Sequence, residues 1–317
     1  MNVVTLDPKF LVPTTQTYSL GVQRELVQGT AVSISYVGTR GTHLERARDI
    51  NQPLPVSGFD FDTRLNARTI PTELIRPFKG FGSIRQHETT SSSTYHSLQA
   101  TLQRRFSKGL LFESSYTWSR AITDASGFGE TPQNAYNLKA ERGPAGFDRT
   151  QMLILNYIYE LPFFRDRSKV TGKLLGGWQV SGITQFQGGV PLNLSITGAT
   201  IGLATRPNVK SGASSEGPQT VQQWFNTGAF EAPTAGFFGN AGRNILRGPG
   251  IHNWDASLFK TFAASDRVNI QFRAEAFNLF NHRNLDGVVT QFGAGNFGQV
   301  TSARTARVVQ MGLKVEF

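Results

Sequence analysis

The sequence predicts an all-β chain: an antiparallel up-and-down transmembrane β-barrel segment of about nine strands, with long extracellular loops. Three observations carry this. First, the closing stretch from Ala306 to Phe317 alternates, with Val309, Met311, Leu313, Val315 and Phe317 apolar and Gln310, Gly312, Lys314 and Glu316 polar or small between them. Strand side chains alternate faces with a period of two, so this is one apolar face and one wet face. Second, no apolar run of the roughly 18 residues a membrane helix needs occurs anywhere. Third, the connections between alternating segments are short and long in strict turn.

In chain order, Thr17 to Glu25 places Tyr18, Leu20 and Val22 on one face. A short turn near Gly29 leads to Ala31 to Gly38, with Val32, Ile34 and Tyr36 on one face. A long Arg-, Pro-, Gly- and Thr-rich connection runs from about Thr42 to Ser93, with an extended stretch expected from Gly82 to Thr90. Tyr95 to Phe106 alternates next, with His96, Leu98, Ala100 and Leu102 opposing Ser97, Gln99, Thr101 and Gln103. The tight turn at Ser107-Lys108-Gly109 returns the chain through Leu110, Phe112, Ser114, Tyr116 and Trp118.

The second long connection covers about Thr123 to Asp148. Arg149 to Leu161 is the least clean strand, because Met152, Ile154 and Ile158 oppose Leu153, Leu155, Tyr157 and Tyr159. A short turn, Pro162 to Lys173, precedes a strand expected from Gly176 to Thr197 with Trp178, Val180 and Phe186 on the same parity as Leu192, Leu194 and Ile196. The third long connection, about Gly198 to His252, precedes Trp254 to Phe262, with Trp254, Ala256 and Leu258 on one face. After an Ala-Ser-Asp turn, Val268, Ile270, Phe272, Ala274 and Ala276 oppose Asn269, Gln271, Arg273 and Glu275. Alternation breaks at Phe277-Asn278-Leu279-Phe280, the mark of a bulge or of the end of the span. The fourth long connection, His282 to Thr305, carries an expected local strand at Phe297 to Ser302.

Outer-membrane barrels have short periplasmic turns and long extracellular loops. With the long connections outside, the ninth strand descends and Phe317 lies on the periplasmic side. Aromatics near strand ends, among them Tyr18, Tyr36, Tyr95, Trp118, Tyr159, Trp178, Trp254 and Phe262, fit interface girdles. The alternative is that aromatics favour any strand.

Composition narrows the function. There is no Cys, hence no disulfide and no thiolate site. The net charge of +10 is spread along the chain without a basic helix, so nucleic acid is not an expected partner; charge in loops and lumen, or a basic rim meeting anionic lipid headgroups, are the alternatives. Met1 to Phe10 lacks the basic and apolar regions of a secretory signal, so an exported protein would have its start elsewhere.

At this point several stretches resemble the barrel of TonB-dependent outer-membrane receptors, in particular Oar-like receptors with a carboxypeptidase-regulatory-like domain. They are Tyr18-Ser-Leu-Gly-Val-Gln-Arg-Glu-Leu26, Ser35-Tyr-Val-Gly-Thr-Arg-Gly41, Tyr95-His-Ser-Leu-Gln99 with Arg104-Arg-Phe106, and Ala140-Glu-Arg-Gly-Pro-Ala-Gly-Phe-Asp-Arg149. The clearest is Phe272-Arg-Ala-Glu-Ala-Phe-Asn-Leu-Phe-Asn-His282. The terminal Phe317, with Val309, Met311, Leu313 and Val315, looks like that family's C-terminal assembly signal. The resemblance implies a barrel of about 22 strands around a plug, of which residues 1–317 would be the C-terminal portion, with plug domain and signal peptide absent. It also implies placement in the bacterial cell outer membrane. The implied partners are outer-membrane lipid and lipopolysaccharide, the barrel-assembly machinery, an unidentified small ligand and, through the missing N-terminal part, the TonB complex. No cofactor and no enzymatic activity are implied.

The residues themselves offer little chemistry. His43, His87, His96, His252 and His282 are far apart in sequence, without zinc-site spacing on a helix. Ser91-Ser-Ser93 reads as a polar loop tip rather than a nucleophile elbow, and Gly239-Asn-Ala-Gly242 and Gly293-Ala-Gly295 as loop glycines. Glu141 with Arg142, and Asp148 with Arg149, are candidate rim contacts for an anionic ligand; the alternative is that they pair with each other. Arg273 and Glu275 face the predicted lumen, where packing against a plug or water is the first reading and ligand contact the second. Three functions stay open: energised uptake of a scarce extracellular ligand, a non-transporting adhesive or structural barrel, and a soluble secreted β-protein.

Overall fold

A computed structural model describes residues 1–55, 61–62, 67–68, 71–164, 170–196, 206–265 and 267–317. Nine strands form one antiparallel meander, each hydrogen-bonded to its sequence neighbour. They are β1 (Thr14–Val27), β2 (Thr30–Asp49), β3 (Ile84–Ser107), β4 (Leu110–Thr123), β5 (Gln151–Glu160), β6 (Gln179–Gln187), β7 (Ile251–Ala263), β8 (Asn269–Phe277) and β9 (Val308–Glu316). Two shorter strands flank it: Val3–Leu6 runs parallel to the start of β3, and Gly143–Pro144 pairs with the end of β4. The sheet is open, with β1 and β9 as its edges.

The registers bring the expected apolar parities onto one face. Leu20 lies opposite Tyr36, Tyr36 opposite Leu98, and Leu98 opposite Trp118. Tyr116 faces Leu153, Leu153 faces Phe186, and Phe186 faces His252. Leu258, Ala274 and Met311 complete another row. Directly opposed residues share a face, so one apolar surface runs across all nine strands. Its side chains, including Leu20, Ile34, Trp118, Met311 and Leu313, are exposed rather than folded into a core. This inverts the soluble pattern and suits lipid as the solvent. The opposite face carries Ser257, Glu275 and Gln310 in register. The doubtful parity of β5 remains there: Ile158 lies opposite Leu111, and Ile183 of β6 is exposed beside them.

Lys260 breaks the apolar row, opposite Phe272. A short helix, α1 (Val170–Leu175), explains it, in a connection where no helix was expected. The Lys260 ammonium donates to the carbonyls of Lys173, Leu174 and Gly176 at 2.6, 2.8 and 2.5 Å and lies 4.7 Å from the Phe262 ring centroid. These are carbonyls the end of a helix leaves unpaired, where positive charge is favoured. The charge is thus satisfied while its stem lies along an aromatic surface.

Several expected boundaries are corrected. β2 runs on to Asp49 and β3 begins at Ile84, so the first long connection is much shorter than the alternation suggested. Beyond Gly41 the pairing shifts register twice, which erases the simple two-residue period. Ser91 is no loop tip: it is buried within β3, and its hydroxyl donates to Asp124 at 2.5 Å. The strand expected to reach Thr197 stops at Gln187; Pro191–Leu192 and Ser195–Ile196 pair instead with Leu246–Arg247 and Gln291–Phe292. Thr197, the start of the third long connection, part of the Pro162 to Lys173 turn and Asp266 lie outside the described residues. The alternation break after Phe277 is the end of β8, where Asn278 takes a positive φ of 52°, a conformation Asn tolerates. Its amide side chain accepts from the His282 N–H at 2.9 Å and donates to the Thr305 carbonyl at 3.2 Å. The expected stretches within Gly82 to Thr90 and Phe297 to Ser302 are present, as the start of β3 and as Val300–Ala303.

Candidate functional site: an extracellular cap tied by buried arginines

The four long connections meet at one end of the sheet, and there they fold together. The hydrophobic core of the described residues lies in them, not in the sheet. Leu194, Phe225, Ala229, Phe230, Ala241 and Leu246 are buried together, with Trp224, Val209, Val288, Phe292 and Phe297 packed around them. Phe225 and Phe297 meet edge to face at 5.1 Å, and Phe225 and Phe230 at 5.8 Å, the favoured geometry for ring quadrupoles. Backbone bonds stitch the third connection to the fourth: Trp224 N–H to the Gly298 carbonyl at 2.7 Å, and Val300 N–H to the Val221 carbonyl at 2.9 Å.

Polar groups tie this body to the second connection. The Arg206 guanidinium donates to both carboxylate oxygens of Glu141, at 2.9 and 2.7 Å, with both side chains buried. This bidentate fork is the strongest geometry available to the pair. Arg243, also buried, donates to the carbonyls of Glu141 and Thr123 at 2.9 and 2.7 Å and to the Glu130 carboxylate at 2.9 Å. Arg247 pairs with the buried carboxylate of Asp148, which also accepts the Ala121 N–H at 2.6 Å. Gln133 donates to the Gly239 carbonyl at 2.9 Å and accepts the Arg206 N–H. The first connection joins through Gln52, whose amide donates to the Gln133 carbonyl at 2.9 Å and accepts the Ala135 N–H at 2.6 Å. Beneath, Arg48 and Arg46 converge on the fully buried Glu88 of β3.

The candidate contacts therefore separate. Glu141 and Asp148 do not pair with their sequence neighbours; each is buried against an arginine of the third connection. Glu141 ends a 3-10 turn, Leu138–Glu141, and its carboxylate is taken by Arg206. Arg142 is exposed and donates to the hydroxyls of Ser92 and Thr94, both at 3.2 Å. Arg149 donates to the Gly188 carbonyl at 2.8 Å. Its pKa is lowered by desolvation first and then by the charge of Arg304, with Asp286 opposing. Burial, then the charge of Asp49, raises the Tyr136 phenol above its ordinary value, and its hydroxyl donates to the Gln52 carbonyl. Arg273 and Glu275 lie on the polar face 3.6 Å apart, Arg273 exposed and Glu275 partly buried.

Arg206, Arg243, Arg247, Glu130, Gln133 and Gln52 were not singled out in the sequence. The one available signal was the cluster of Trp224, Phe225 and Phe230 inside a polar connection, unusual for a solvated loop. No group of three or more His, Asp or Glu able to hold a metal ion occurs among the described residues. The fold does bring His252 and His282 together, with rings stacked at 5.3 Å.

Gly239 marks one of the closest backbone approaches in the cap. A β-carbon there would land on the Arg206 carbonyl oxygen. Gly239→Ala is expected to push the two backbones apart, costing about 1–3 kcal/mol in cap stability. Faster amide exchange across residues 206–247 with unchanged exchange in β5–β8 is the readout.

An open sheet with an apolar outer face, a polar inner face and folded loops at one end defines an outer-membrane β-barrel protein. Residues 1–310 match the outer membrane beta barrel domain family, and the chain belongs to it. Membership places it in the bacterial outer membrane. No curated protein sequence matches significantly. Solved structures similar to the chain include the outer membrane transporter YddB from Escherichia coli, at 9% identity and a TM-score of 0.49, covering 97% of this chain and 33% of that one. The pyoverdine outer membrane receptor FpvA from Pseudomonas aeruginosa shows 11% identity, a TM-score of 0.41 and coverage of 96% and 30%. The FrpB iron transporter from Neisseria meningitidis shows 9%, 0.44, and 99% and 33%. The chain thus spans about a third of the length of these structures.

Proposed function

We propose that the chain is the C-terminal part of the wall of a TonB-dependent receptor, and that its cap helps capture a scarce extracellular ligand for energised uptake. The observation that carries this is the cap itself. A passive pore has no use for a buried Phe225 core and bidentate Arg206–Glu141 clamp, whereas a binding surface gains affinity from loops ordered in advance. The resemblance of Phe272 to His282 to receptor barrels supports the same reading. Arg142 and Arg149 at the rim, and Arg273 and Glu275 on the polar face, are the proposed ligand contacts that remain accessible. At the other end, Phe317 with the apolar row Val309 to Val315 would be read by the barrel-assembly machinery.

The test compares media spent by cells with and without the gene, using mass spectrometry to find the depleted solute. Uptake of that solute is expected to stop in cells lacking TonB while surface binding persists. Depletion that continues without TonB, or no solute that differs, sinks the proposal.

A further inference from the structure

β5 is apolar on both of its faces, and lipid accounts for only one of them. On the inner side of β2, β3 and β4 the opposed rows are hydroxyls and amides: Ser33 with Thr101 and Ser115, and Ser35 with Gln99 and Thr117. From β4 to β6 the same side turns apolar. Leu111 lies opposite Ile158, and Ile183 stands between Asn156 and Asp255. Leu111, Ile158 and Ile183 border a cavity of about 390 Å³ together with Phe277, the last residue of β8.

These side chains are open to the inner space of the sheet: Ile183 is 54% exposed and Phe277 44%. Barrel interiors are ordinarily polar. Apolar groups gathered there, beside a wall of hydroxyls, mark a surface that something apolar covers. Phe277 leads directly into the fourth long connection, so the cavity lies on the inner wall just beneath the cap.

Charge says what fits. Asp255 and Glu275 line the cavity, and among the described residues no Lys, Arg or His does. One Asp255 oxygen accepts the Asn278 N–H at 2.8 Å and the Asn253 amide at 2.9 Å, and the other has no hydrogen-bond partner among the described residues. Arg304 borders a smaller neighbouring cavity with Asp255 and makes no ion pair with it. Glu275 accepts from the Gln310 amide at 2.5 Å and pairs loosely with Arg273, which does not line the cavity. In a chain of net charge +10, this apolar surface with two carboxylates and no cation complements a positively charged ligand. A neutral ligand would bury the open Asp255 oxygen without a partner, and an anionic one would be repelled.

We infer that the captured ligand is a cationic amphiphile, such as a short basic peptide. Its ammonium or guanidinium group meets Asp255, and its adjoining apolar side chains pack on Ile183 and Phe277. The inference rests on the transport reading and gives the chemical class of the solute taken up.

Isothermal titration of the full-length protein in detergent tests it, with acetyl-Phe-Lys-Leu-amide as the probe. Its counterparts with Gln or Glu at the middle position are expected to bind at least ten-fold more weakly. Acetyl-Gly-Lys-Gly-amide, which keeps the charge and drops the apolar groups, should be as weak as they are. Asp255→Asn retains an acceptor for Asn278 and Asn253, yet should cost the Lys peptide at least ten-fold and leave the Gln peptide unchanged. Ile183→Ser should weaken the Lys peptide as well, and a heat-modifiable band on gels confirms that each variant is folded. Equal binding of the Lys, Gln and Glu peptides, or unchanged binding in folded Asp255→Asn, overturns the proposal. So does a full-length protein that binds no probe and shields Asp255→Cys from a water-soluble maleimide, because another part of the protein then covers the surface. Uptake by cells separates this inference from the transport reading. A Lys peptide that binds but enters equally with and without TonB sinks transport and leaves the ligand class standing. A TonB-dependent solute that proves anionic or neutral sinks the ligand class and leaves transport standing.

Discussion

Glu141→Ala should loosen the cap by about 3–5 kcal/mol, because it strands the buried Arg206 charge without its partner. The loss is expected to be large for a specific reason. Among the described residues the Arg206 Nε has no hydrogen-bond partner, and both side-chain bonds of the guanidinium there go to the lost carboxylate. Removing the charge as well should recover much of the stability, so Glu141→Leu with Arg206→Leu should be far milder than either single change. Hydrogen exchange across residues 206–247, and the rate of protease cleavage in intact cells, measure it. Single variants that exchange no faster than the parent would show that the ion pair contributes nothing net. Arg243 offers an internal comparison. It bonds the carbonyls of Glu141 and Thr123, the Ser126 hydroxyl and the Glu130 carboxylate, and not the Glu141 carboxylate, so its site should survive Glu141→Ala if the backbone there keeps its place.

Leu313→Arg should destabilise the barrel by about 2–4 kcal/mol, the cost of a cation near the middle of the lipid face. Leu313 lies opposite Phe272 in the row that the register places outside. Gln310→Leu, on the other face opposite Glu275, should change stability by well under half of that. Urea midpoints in detergent or bilayers, read by the heat-modifiable gel shift, give the comparison. Equal effects at the two positions would mean that the inside and outside of β9 are wrongly assigned.

The contrast between these sites explains what the sequence could reveal. Each strand of the meander was legible in its lipid-facing part, because a face bathed in lipid imposes a two-residue period; β5, with Met152, Ile154 and Ile158 on its other side, is the weakest case. β8, with Ile270, Phe272, Ala274 and Ala276 against Asn269, Gln271, Arg273 and Glu275, is the plainest case. Where lipid ends, the period ends too. The outer half of β2 carries buried Arg46 and Ala47 side by side, and its pairing slips twice, so it looked like loop. The cap was illegible for a different reason. Its clamps join residues 65 and 113 positions apart, Glu141 to Arg206 and Glu130 to Arg243, and no local pattern encodes such a match. Lys260, on the lipid-facing parity of β7, was not singled out either, because its acceptors come from a helix end elsewhere in the chain.

The extra length of β2 and β3 bears on where the molecule meets its surroundings. From Thr94 back to Ile84, β3 continues as paired strand, roughly 30 Å of it. A bacterial surface is crowded by carbohydrate chains at that height. A stiff ribbon of this reach, joined along its edge by Val3–Leu6, carries the β2–β3 hairpin toward the sugar layer, where antibodies, phages and bacteriocins would encounter it.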